Sequence, residues 1–63
     1  MTDAEAITLT RIGRLLDDED ELRAEARRLE LNPSRSEDAR RLFALASRVR
    51  AERTELLDRW LTR

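Results

Sequence analysis

The sequence predicts an all-α fold, an antiparallel two-helix hairpin with helices over about residues 3–31 and 36–62, dimerising into a four-helix bundle. Three observations carry this. Apolar residues recur at steps of three and four along both halves of the chain, the spacing that keeps side chains on one face of a helix. The single proline falls in the one stretch where that pattern stops, Leu31–Ser36. The chain is 43% charged and 40% hydrophobic with one glycine, a mixture that on a helical period suits long helices better than disorder.

The first helix opens at Thr2-Asp3-Ala4-Glu5, a capping box in which Thr2 and Glu5 satisfy the free N–H groups of the first turn. Its stripe is Leu9, Ile12, Leu15, Leu16, Leu22, Ala26 and Leu29. In heptad terms Ile12, Glu19 and Ala26 take position a, and Leu15, Leu22 and Leu29 take position d. Gly13 costs up to about 1 kcal/mol against alanine, and it falls away from the seam. The acidic run Asp17-Asp18-Glu19-Asp20-Glu21 invites a break. The spacing of Leu15, Leu22 and Leu29 nevertheless passes through it without a phase shift, which predicts one continuous helix.

Pro33 biases Asn32 away from helical geometry and suits a helix's first turn. Ser34 with Glu37 forms a second capping box, and Ser36 is a rival cap. The second stripe is Ala39, Leu42, Ala46, Val49, Leu56 and Trp60, interrupted by Arg53. A turn this short makes the helices antiparallel neighbours, with facing residue numbers summing to about 68. Leu22 then faces Ala46, Ala26 faces Leu42 and Leu29 faces Ala39, each large residue meeting a small one. Ile12 faces Leu56 in the same register. The expected hairpin core is therefore Ile12, Leu15, Leu22, Ala26, Leu29, Leu42, Ala46, Val49, Leu56 and Trp60.

One seam does not use every apolar side chain. Leu9, Leu16, Phe43 and Leu57 stand at position e and widen the stripe until each helix needs a second neighbour. A second hairpin packed on the first would bury them, so these four are the expected dimer interface. Chain length argues the same way. Sixty-three residues make one small domain whose core rarely suffices alone. Without cysteine no disulfide can staple it.

Chemistry has little to work with. The chain lacks Cys, His, Tyr and Lys, so the usual nucleophiles and transition-metal ligands are missing. No catalytic residue, cofactor or metal site is expected. As a calcium loop the acidic run fails, with Leu22 where glycine is needed and Arg28 where the twelfth-position glutamate belongs. Glu52, Glu55 and Asp58 have a magnesium-like spacing, but Arg59 stands one turn from Glu55 in the order that favours an ion pair. No apolar run reaches the roughly 20 residues that span a bilayer, the many acids on the polar faces disfavour membrane-surface binding, and no leader-like segment begins the chain. A cytoplasmic protein is the expectation.

Charge is uneven within a net of −1. Acids dominate up to Glu21, and Arg27, Arg28, Arg35, Arg40 and Arg41 gather at the turn, where they would form a phosphate-binding end. No aromatic residue stands beside them for base stacking, and intrahelical pairs such as Glu37 with Arg41 account for the pattern without a nucleic acid. Glu19 and Arg53 interrupt two apolar stripes at nearby heights and are expected to pair across the seam. The function these features predict is a non-catalytic protein–protein interaction module, working as a homodimer with a protein partner. A dimeric RNA- or DNA-binding protein and a small subunit folding on a larger protein are the alternatives.

Overall fold

The computed structural model describes residues 2–62 as two long helices joined by a short turn. Helix α1 spans Asp3–Glu30 and helix α2 spans Ser36–Thr62, with one 3-10 turn, Pro33–Arg35, between them. The helices pack antiparallel into a flat hairpin with principal extents of 48, 16 and 10 Å. Each helix is about as long as its 28 or 27 residues allow at roughly 1.5 Å per residue.

Local chemistry explains the boundaries. At the start of α1 the Glu5 N–H donates to Thr2 Oγ1 at 3.2 Å, and Thr2 has the extended backbone of a cap. The helix runs unbroken through the acidic residues. It ends by tightening, as the N–H groups of Leu31 and Asn32 bond the carbonyls of Arg28 and Leu29. The turn corrects the sequence-based expectation. Neither Ser34 nor Ser36 caps the second helical segment. Asn32 does so with an extended backbone, its Oδ1 accepting from the Ser34 N–H at 3.1 Å and the Ser34 hydroxyl at 2.8 Å. Pro33 forces that backbone, and a short amide side chain in extended geometry is well placed to bond two residues ahead.

The seam closes on alanines. Among the described residues the buried apolar side chains are Ala26, Ala39 and Ala46, and no larger side chain is fully buried. Ile12, Leu15, Leu22, Leu29, Leu42, Val49, Leu56 and Trp60 are half-buried. The reason is geometric: two helices share one line of contact, small residues sit on that line, and large ones must splay to either side of it. Thr8, at a d position, donates its hydroxyl to the Ala4 carbonyl at 3.0 Å.

Candidate interaction surface

A charged cluster occupies the centre of the seam. Glu19, at position a of α1, is only 7% exposed. One carboxylate oxygen accepts from Arg53 Nη1 across the hairpin at 2.7 Å. The other accepts from Arg23 Nε, one turn along α1, at 2.9 Å. Burial pushes the Glu19 carboxyl up; the hydrogen bond from Arg23 and the charges of Arg53 and Arg23 outweigh it. The carboxyl therefore stays below the ordinary glutamate value of 4.5. Arg23 was not singled out in the sequence, although its place four residues after Glu19 was the available signal. The cluster ties the two helices together at one level of the seam.

The arginines at the turn end are mostly engaged. Arg28 pairs with Glu25 at 3.2 Å, Arg35 with Asp38 at 2.7 Å, and Arg41 reaches Glu37 at 3.5 Å. Arg27 and Arg40 form no ion pair among the described residues. Each paired guanidinium already has a carboxylate that a phosphate would have to displace.

The two flanks of the hairpin differ. On one, Arg11 of α1 bridges to Glu52 of α2 at 2.7 Å. Asp18, Glu21, Glu25 and Arg28 line a shallow groove on that side over the edges of Leu22, Leu42 and Val49. Helical periodicity places the four e-position residues on the opposite flank. There Leu9 and Phe43 are half-buried, whereas Leu16 is 46% and Leu57 39% exposed. Leu61 lies beside them near the open end and is exposed as well. The first flank carries the Arg11–Glu52 bridge together with the exposed Ile7 and Leu45, and the second carries Leu16, Leu57 and Leu61 among charged neighbours.

The remaining acids of the run, Asp17, Asp18, Asp20 and Glu21, are exposed on the outside of α1. Among the described residues no group of three or more acidic side chains converges as metal ligands would. Glu52 and Glu55 are held instead by Arg11 and Arg59. No helix among the described residues is long and apolar enough to cross a membrane. Compared with known proteins, the chain matches no family model, no curated protein and no solved structure.

Proposed function

We propose that this protein is a non-catalytic protein–protein interaction module, a small cytoplasmic adaptor, regulator or inhibitor that works as a helical-hairpin homodimer. The observation that carries this is the flank with its exposed Leu16 and Leu57, on a hairpin that among the described residues fully buries no side chain larger than alanine. Leucines splayed on either side of a thin seam leave part of their transfer free energy ungained, and a second hairpin would recover the part on the flank it covers. The absence of Cys, His, Tyr and Lys from the sequence supports a role in binding rather than catalysis.

Sedimentation equilibrium at micromolar concentration tests the assembly. The expected result is twice the chain mass of 7.4 kDa. A compact monomer that melts cooperatively would remove the basis of the proposal. Titrating generic RNA at rising salt separates it from nucleic-acid binding, because phosphate contacts lose affinity steeply with salt. Only weak binding is expected here, since three of the five turn-end arginines already hold carboxylates.

A further inference from the structure

We propose that the second copy stacks on the flank of Leu16 and Leu57 in parallel, turn over turn, so that α1 of each chain lies on α2 of the other. This rests on the homodimer proposed above and specifies its arrangement. Besides the leucines, that flank carries five charges with no ion pair among the described residues: Asp20, Arg27 and Glu30 on α1, Arg40 and Arg50 on α2. The cross-helix pairs of Glu19 with Arg53 and Arg11 with Glu52 fix the levels of the two helices. In that register Asp20 stands level with Arg50 and Glu30 with Arg40, within one turn. Both unpaired acids are on α1, and two of the three unpaired bases are on α2.

A two-fold axis running along the hairpin keeps every residue at its own level and lays α1 on the partner's α2. Asp20 then meets the partner's Arg50, and Glu30 meets the partner's Arg40, each twice by symmetry. The same superposition sets Leu9 against the partner's Leu61 and places Phe43 under the partner's Arg27, a cation–π geometry. The alternative axis, across the hairpin, sets α1 on the partner's α1 with levels reversed. Leu9, Leu16, Leu57 and Leu61 all lie towards the open end, so reversal over the full length lays leucines on Asp20, Arg23 and Arg27. Sliding the copies to bring the leucines together leaves Phe43 overhanging. The broad face measures 48 by 16 Å, close to the roughly 800 Å² that each partner contributes to a specific interface.

Single charge reversals test this, since Asp20 and Arg50 are exposed and their replacement spares the hairpin seam. Asp20→Arg alone and Arg50→Asp alone should each weaken dimerisation about tenfold, through two repelling pairs per dimer. An equimolar mixture of the two variants should recover wild-type affinity, because each mixed dimer restores opposite charges at both contacts. Packing of α1 on α2 requires that rescue, and the turn-to-turn distance separates it from α1-on-α1 packing. A mixture no tighter than either variant would overturn the parallel arrangement, as would single reversals without effect. A nitroxide on Ser34→Cys, unique in a chain without cysteine, gives an independent reading. Turn-to-turn separation should be far below the 48 Å hairpin length; a separation near or beyond that length means antiparallel packing. Twice the chain mass with a long separation sinks the arrangement alone, whereas a monomer sinks the homodimer as well.

Discussion

Glu19 is where a single residue decides most. Its carboxylate is buried, yet two guanidinium groups meet it, so taking away one partner strands charge in the seam. Glu19→Ala and Arg53→Ala should each lower the melting temperature. The double variant should lose less than the two single losses added together, and simple additivity would mean the charges are not coupled. Acid offers a second test. Because the folded-state pKa of Glu19 is depressed, its contribution is present above the unfolded value of about 4.5 and is lost as pH falls through the lower folded value. Wild type should therefore lose melting temperature more steeply below pH 4.5 than Glu19→Gln, which cannot change charge there. Parallel acid curves would contradict the depressed pKa. Among the leucines, Leu42 is half-buried. Truncating Leu42 to alanine should cost about 1–2 kcal/mol, read by chemical denaturation, and a loss near zero would mean the seam does not use it.

The helices differ in what starts them. Thr2 caps α1 with a hydroxyl, and Asn32 caps the approach to α2 with an amide. Asn32→Ala should cost about 1 kcal/mol, whereas Ser36→Ala should be near neutral because Ser36 is not the cap. Chemical denaturation distinguishes them, and equal losses would return the cap to serine. Within α1, a Cβ built on Gly13 meets nothing within 4 Å. Gly13→Ala should accordingly stabilise the helix by about 0.5–1 kcal/mol. A loss instead would show that something closes on this position in solution.

For the whole molecule the thin seam matters most. A hairpin 10 Å thick has little interior, and stability then depends on what covers the flank of Leu16 and Leu57. Melting should rise with protein concentration, since association stabilises the folded state by mass action. A melting temperature unchanged over a hundredfold dilution that brackets the dissociation constant would indicate that two helices hold themselves together alone. Under the homodimer proposal the two flanks offer different places for a second copy. The Arg11–Glu52 bridge occupies one side with a charge pair already made, leaving the leucine side for burial.

The helices and their pairing were legible in the sequence because both are local or periodic. The three-and-four spacing needs no tertiary information, the seven-residue step of Leu15, Leu22 and Leu29 carries α1 across the acidic run, and Pro33 marks the turn. The heights of Glu19 and Arg53 follow from the turn length alone. Other features depend on competition in three dimensions. Asn32, Ser34 and Ser36 all have capping chemistry, and the extended backbone imposed by Pro33 selects the one whose oxygen reaches Ser34. Arg23 joins Glu19 because the seam buries that carboxylate and leaves its second oxygen in need of a donor. The difference between the flanks is a property of neither stripe by itself. It arises when antiparallel packing brings Arg11 beside Glu52 on one side and leaves the leucines without a counterpart on the other.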